Sequence, residues 1–170
     1  MKQKNKKGVT LIEVMAVIAI ISIFAVISYK NLANNRNHAE VEAVASEIAS
    51  LINQTRNFAL TGKVVNGNVP GCFAIRFQNY TGQNEYLRFL GNDTCVYVSS
   101  WGAWQKISSK VKISGFLAVP PVSDRSSFRY KVPDGERLTG TANNWILVES
   151  KADSTIQKTV KINQYRAYVE

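Results

Sequence analysis

The sequence predicts an α+β protein in which one long N-terminal helix packs its second half against a C-terminal antiparallel β domain. Three observations support this fold class. An apolar run extends over residues 9–29, an amphipathic helical pattern continues to Gly62, and short strand-like segments separated by turn residues follow. The first two segments are expected to form a single helix from about Thr10 to Thr61.

Residues 1–8 form a short basic leader. Four lysines within residues 2–7 precede Gly8 and the apolar run. Positive charge beside a membrane span is retained in the cytoplasm, so the rest of the chain is predicted to be exported. Without these four lysines the net charge falls from +9 to +5, a mild basic excess that permits binding to anionic polymers without requiring it.

Residues 9–29 are predicted to cross a membrane as a helix. At about 1.5 Å per residue this stretch is roughly 30 Å long, which matches the hydrocarbon core of a bilayer. A secretory signal peptide is the first alternative, but its apolar core is shorter, and residues 29–32 make a poor cleavage site. A plain signal anchor is the second. It fits the length but does not account for Glu13, because a carboxylate inside a membrane is costly unless it lies near an end or has a partner.

Residues 30–62 are predicted to form the amphipathic half of the helix. Polar residues from Lys30 to His38 mark the exit from the membrane, and Gly62 favours the end of the helix. Between them, apolar residues recur at three- and four-residue steps and predict one stripe that packs against the β domain, a coiled-coil partner being the less favoured alternative. The stripe consists of Val41, Val44, Ala45, Ile48, Leu51, Ile52, Thr55, Phe58 and Ala59.

Residues 63–170 are predicted to form an antiparallel β domain. Turn residues at 66–68, 81–83, 91–93 and 133–135 separate the strand-like segments. The expected strands are Cys72–Phe77, Glu85–Leu90, Thr94–Ser99, Val111–Ile113, Ser127–Val132, Trp145–Glu149, Ile156–Ile162 and Arg166–Val169.

The only two cysteines, Cys72 and Cys95, lie beyond the apolar run. An even number of cysteines in an exported domain favours a disulfide bond, here one that ties the first strand to the third. Two buried thiols would give the same pattern, and they remain the alternative.

Nothing in the sequence predicts an enzyme, a cofactor or a metal centre. His38 is the only histidine and lies in the polar segment, where a solvated side chain is the simplest interpretation. Asp124, Asp134, Glu136 and Asp153 lie in loops, but their spacing does not match a calcium-binding loop, and turn residues are the favoured interpretation.

Three aromatic residues, Tyr97, Trp101 and Trp104, precede Lys106, Lys110 and Lys112. Aromatic side chains flanked by cations can stack on and hold single-stranded nucleic acid. The favoured interpretation is that these aromatics fill the β core while the lysines point outward. Nucleic acid is therefore the less favoured partner.

The N-terminal segment Lys6-Lys7-Gly8-Val9-Thr10-Leu11-Ile12-Glu13-Val14 resembles the signature of type IV prepilins, and Val9 stands where that family most often has Phe. The resemblance implies a type IV pilin-like fold without a cofactor. It also implies cleavage by a prepilin peptidase between Gly8 and Val9, followed by N-methylation of Val9. Glu13 would then neutralise the new amino terminus of Val9, in its own or a neighbouring subunit, and so set the register of assembly.

The same resemblance implies partners and a location. The partners are other pilin or pseudopilin subunits, the peptidase and an inner-membrane assembly platform. The protein would be a single-pass inner-membrane protein with its C-terminal domain outside the cytoplasm, and afterwards part of a pilus or a type II secretion pseudopilus.

Residues 54–63 and 69–75 also resemble the GspH/FimT-type minor pilins and pseudopilins, in which a helix leads directly into the first strand. The resemblance favours a structural minor subunit, with a major pilin as the first alternative. A DNA-binding minor pilin is the second, since some FimT-like proteins serve DNA uptake through a basic Gly-Arg-x-Arg-like C-terminal segment. Lys158–Glu170 lacks that motif.

Replacing Gly8 by a bulky residue, as in Gly8→Leu, is expected to leave the precursor uncut and unassembled, because the peptidase site accommodates only the glycine backbone. Mass spectrometry of the membrane-bound chain checks this through the retained leader and the absence of N-methylated Val9. A Gly8→Leu chain of normal mature mass would contradict the predicted cleavage site.

Overall fold

One long helix, α1, spans Leu11–Leu60, and antiparallel strands follow it, which confirms the predicted α+β fold. The computed structural model describes residues 10–80, 83–114, 125–138 and 145–170. By its internal contacts the chain divides into two units, Met1–Arg36 and Asn37–Glu170.

The described residues of the first unit, 10–36, are helical from Leu11 onward and exposed throughout. Every large apolar side chain from Leu11 to Tyr29 is at least 44% exposed. A helix that is apolar on all sides is stable only where something other than water surrounds it.

In the second unit, the part of α1 that begins at Asn37 buries one face against the strands. The predicted stripe is buried as expected, and Phe58 is half-buried against the same core. Thr55 is the polar member of the stripe, and its hydroxyl donates to the carbonyl of Leu51 at 2.8 Å. The amphipathic pattern therefore predicted the packed face correctly.

The helix ends in a hydrogen-bonded cap centred on Gly62. The amide of Lys63 donates to the carbonyl of Phe58, and the amide of Gly62 donates to that of Ala59. This Schellman pattern needs a left-handed residue, and Gly62 has φ of +55°. Gly62 thus ends the helix as predicted.

The strands form two antiparallel sheets. One has the order β3-β2-β1-β6, with the short β4 also paired to β2, and the other has the order β5-β7-β8-β9. The strands are β1 Cys72–Tyr80, β2 Gln83–Gly91, β3 Tyr97–Ser100, β4 Gln105–Lys106, β5 Val111–Ser114, β6 Arg125–Lys131, β7 Trp145–Ser150, β8 Gln157–Ile162 and β9 Ala167–Val169.

Each predicted strand overlaps one of these elements, with most ends shifted by one to three residues, and two differences have an identifiable place in the fold. The short strand β4 was not predicted. The third strand begins at Tyr97 and not at Thr94, because the Asn92 side chain accepts hydrogen bonds from the amides of Thr94 and Val96 and folds that segment into a turn. Of the predicted turn at 81–83, Thr81 and Gly82 lie outside the described residues, as does Asp124.

Both sheets contribute to one hydrophobic core around the helix stripe. Its fully buried members include Phe73, Ile75 and Phe77 of β1 in the first sheet, and Ile146 and Val160 of the second sheet. Burying a side chain of this size is worth about 1.5–3 kcal/mol, so the helix stripe and the two sheets stabilise one another.

Asn84 of β2 joins the two sheets through hydrogen bonds. Its side-chain amide donates to the carbonyl of Val111 at 2.7 Å, and its oxygen accepts from the amide of Ile113 at 3.2 Å, both in β5. Asn84 is 1% exposed. A buried amide with its hydrogen bonds made fixes the geometry around it, since other arrangements would leave it unpaired.

A disulfide bond joins Cys72 and Cys95, and both residues are buried. The predicted bond is therefore present, but the prediction that it ties the first strand to the third is wrong. It ties the start of β1 to the turn before β3. Cys95 occupies the left-handed region, with φ of 55°, and its amide donates to the carbonyl of Asn92 at 2.8 Å. The bridge fixes the turn that leads into β3.

Replacing both cysteines, as in Cys72→Ala with Cys95→Ala, is expected to lower the free energy of unfolding by about 3 kcal/mol, because the bridge closes a loop with a sequence separation of 23. Denaturant unfolding of the detergent-solubilised chain measures the loss. Reductant should destabilise the wild-type chain similarly and leave the double variant unchanged. Equal midpoints for both chains in the absence of reductant would contradict the expectation.

Candidate functional site

The first turn of α1 contains a reciprocal cap between Thr10 and Glu13. The Thr10 amide and hydroxyl both donate to Oε2 of Glu13 at 2.9 Å, and the Glu13 amide donates to the Thr10 hydroxyl at 3.4 Å. The first amides of a helix have no partner within it, and a threonine followed three residues later by a glutamate supplies one. The cap fixes the direction in which the Glu13 carboxylate points.

The charge of Glu13 is not balanced within the described residues. Its hydrogen-bond partner is the neutral Thr10, and none of the ion pairs in that part of the chain includes it. Gly8 and Val9, the predicted cleavage and methylation positions, lie outside the described residues. The geometry therefore presents an oriented carboxylate, at the start of the helix, that still has its charge available for a cation.

The helix that begins at this cap is long and apolar enough to cross a membrane. Within its apolar part the hydroxyl of Ser22 donates to the carbonyl of Ile18 at 2.8 Å, so this polar group is satisfied inside the helix. Internal satisfaction is what a low-dielectric surround requires, because lipid offers no hydrogen bonds. The cap, the carboxylate and the apolar surface thus form one continuous site.

The loop acids and the histidine do not form a second site in the described part of the chain, where no group of three potential metal ligands comes together. His38 is exposed. Thr155 donates to the Asp153 carboxylate through its hydroxyl and its amide and so lowers the pKa of Asp153, with a smaller contribution from His38. Asp153 is a turn residue, as interpreted from the sequence.

The aromatic and basic stretch is only partly a core element. Trp101 contacts the rings of Phe58 and Phe73 at centroid distances of 5.1 and 5.8 Å, as the core interpretation predicts. Tyr97 and Trp104 are exposed, so that interpretation is wrong for these two residues. Their exposure follows from the edge position of β3 and from the loop before β4.

Two lysines of the same stretch are paired with acids. Lys110 lies 3.4 Å from Glu40, and Lys112 lies 3.8 Å from Glu149. Each pairing lowers the positive potential available to a phosphate backbone. The stretch is therefore a weaker anion surface than its sequence suggests.

A pair of cations that sequence analysis missed lies beside Trp101. Nζ of Lys63 is 4.0 Å from the centre of the Phe58 ring and 4.8 Å from that of Trp101. The guanidinium of Arg88 is 5.9 Å from the Trp101 ring, and it also donates to the Gln54 side-chain oxygen. No local sequence pattern predicts this pair, because only the tertiary fold brings Lys63 and Arg88 together.

Comparison with protein families gives a match that includes this site. Residues 3–29 match the family described as the prokaryotic N-terminal methylation motif. The matched range contains Gly8, Val9, Thr10 and Glu13 and ends at Tyr29, where the predicted membrane span ends. Searches of curated proteins and of solved structures returned no match to this chain.

Replacing Thr10 by Val is expected to loosen the first turn of α1, because it removes the hydroxyl that both donates to Glu13 and accepts from its amide. Loss of a cap costs about 1 kcal/mol, so the Glu13 amide should exchange with solvent roughly fivefold faster in detergent micelles. Thr10→Ser keeps the hydroxyl and is the matched control. Unchanged exchange in Thr10→Val would show that the cap does not hold the turn.

Proposed function

Since the chain is a type IV prepilin-like protein, we propose that it is a structural, minor subunit of a type IV pilus or type II secretion pseudopilus. One observation carries the proposal. The match to the methylation motif at residues 3–29 overlaps a helix whose apolar surface is exposed on every side. That helix begins at an oriented carboxylate, Glu13, which has no ion-pair partner among the described residues.

Processing comes first in the proposed mechanism. A prepilin peptidase cleaves after Gly8, where the absence of a side chain lets the backbone enter a narrow active site. The cut frees the amino group of Val9, which is then N-methylated. The match of residues 3–29 to the methylation motif supports this step.

Assembly follows through the charge of Glu13. In the proposed filament the Val9 amino group and the Glu13 carboxylate pair within one subunit or between neighbours. Opposite charges attract strongly in a low-dielectric surround, and each is costly there alone. The cap supports this role, because Thr10 occupies only Oε2 of Glu13 and holds the carboxylate at the helix start.

The apolar part of α1 supplies the remaining attraction. Before assembly its side chains contact lipid, and in the filament they contact the helices of other subunits. The exposure of residues 11–29 supports this exchange, since the described part of the chain does not bury them. Packing between apolar helices then replaces packing against lipid chains.

The minor-subunit assignment rests on the resemblance of residues 54–63 and 69–75 to the GspH/FimT type. The capped helix end at Gly62 followed by β1 at Cys72 supports it. A major pilin is the rival, and subunit counting by quantitative mass spectrometry of purified filaments separates the two. A DNA receptor is less favoured, because Lys110 and Lys112 are paired with acids.

Replacing Glu13 by Gln is expected to spare membrane insertion but to lower incorporation into filaments about tenfold or more, the effect of losing about 1.4 kcal/mol of subunit attraction. Glutamine can still accept from Thr10, so the variant removes the charge and keeps the cap. Immunoblots of membrane and sheared-filament fractions measure both quantities.

The matched control is Glu47→Gln, which removes an exposed carboxylate from the amphipathic half of the same helix. It should assemble normally. Wild-type amounts of the Glu13→Gln chain in filaments would leave the charge-pairing mechanism without support, whereas loss of both variants from the membrane would indicate a general insertion defect.

A further inference from the structure

The edge strand β3 is an unusual element of the exported domain. It pairs with β2 along one side, and in the described residues no strand pairs with its other side. All of its residues are exposed, Tyr97 and Val98 by 52% and 63%, and Val96, just before the strand, is 59% exposed. Edge strands are normally protected by charge or proline, and β3 has neither.

The backbone of this edge is held in place before any partner arrives. The disulfide at Cys95 and the Asn92 side chain fix the turn that enters β3. At the other end, the amide of Trp101 donates to the carbonyl of Arg88 at 2.8 Å. Because amides alternate in direction along a strand, that of Ser100 then points away from β2. A fixed edge loses little conformational entropy when it pairs.

The surroundings of β3 indicate what would pair with it. An open groove of about 350 Å³ lies beside the strand and is lined in part by Val65, Pro70 and Leu90. The cations of Lys63 and Arg88 lie over Trp101, directly after the strand ends, and neither forms an ion pair within the described residues. The edge therefore combines unpaired backbone, apolar surface and positive charge.

We infer that the free edge of β3 binds an extended, apolar and acidic segment of a partner protein outside the cytoplasm, which adds to the sheet as a further strand. Backbone hydrogen bonds to β3 would supply affinity, and the apolar groove and the cations would select the side chains. The acidic side chains of the partner segment would be complementary in charge to Lys63 and Arg88.

A second copy of the chain fits this edge poorly. Pairing of two β3 strands in antiparallel fashion needs a two-fold axis, whereas subunits of the proposed filament share one orientation, so this step rests on the proposed function. Such pairing would also bring the uncompensated cations of two positively charged chains towards one another. A different, acidic partner avoids both difficulties.

The test uses the full chain in detergent micelles and three synthetic heptapeptides, acetylated and amidated at their ends. One alternates valine with glutamate, one replaces glutamate by lysine, and one carries the glutamate sequence with alternate backbone amides methylated. Binding is followed by amide chemical shifts of Tyr97 to Ser100. The glutamate peptide should bind about tenfold or more tightly than the lysine peptide, and the methylated peptide should not bind.

Two variants assign the binding to the edge. Val98→Asp should abolish binding of the glutamate peptide, while Tyr165→Asp, an equally exposed position elsewhere, should not change it. Lys63→Gln should lower the affinity for the glutamate peptide and leave the affinity for an alternating valine–threonine peptide unchanged. Thermal unfolding of each variant checks that the fold is intact, and Glu13→Gln should bind like wild type, which separates this test from that of filament assembly.

The inference is overturned if the lysine and glutamate peptides bind alike, or if Val98→Asp binds as well as the wild type. It is also overturned if a single-stranded oligonucleotide displaces the glutamate peptide and binds more tightly at the same residues. Self-association of the chain that Val98→Asp abolishes would make the occupant a second copy and would likewise refute the inference.

Discussion

The amphipathic stripe of α1 is the interaction on which the rest of the structure depends. Val41, Ile48 and Ile52 are at most 1% exposed and contribute to the same core as both sheets. The stripe therefore covers part of the inner face of each sheet. The same helix is apolar on nearly all sides from Leu11 to Tyr29, so one element must serve two surroundings, and its side-chain pattern changes after Tyr29.

The buried side chain of Asn84 fixes the position of the two sheets relative to each other, which apolar contacts alone would leave less precisely defined. Asn84 of β2 connects the first sheet to β5, an edge strand of the second sheet. Apolar contacts are tolerant of small shifts, whereas a buried amide is not, since an unmade hydrogen bond costs about 1–3 kcal/mol. Specific geometry here comes from a few amides, and stability comes from the core.

The features that sequence analysis predicted are those that depend on neighbouring residues. The helix stripe, the cap at Gly62 and most strand positions follow from local periodicity and turn residues. The Thr10-x-x-Glu13 spacing is also the local pattern of a first-turn cap, but from the sequence Glu13 is interpreted only as the partner of the Val9 amino group. The prediction of a strand at Cys95 is wrong, because hydrogen bonds to the Asn92 side chain fold this segment into a turn that the apolar pattern does not reveal. Lys63 and Arg88 both lie beside the Phe58 ring because the end of the helix packs against β2, and no local sequence pattern encodes that packing.

One contact, between Asn53 of α1 and Ala167 of β9, can form only after β9 has been synthesised, long after α1. The Asn53 side chain accepts from the Ala167 amide at 2.8 Å and donates to its carbonyl at 2.9 Å, across a separation of 114 residues. Synthesis at about 5–20 residues per second places the two partners on the order of ten seconds apart. During that interval the hydrophobic core lacks Ala167, its last buried member along the chain, so the part of the core that Ala167 completes is open to chaperones and to misassembly.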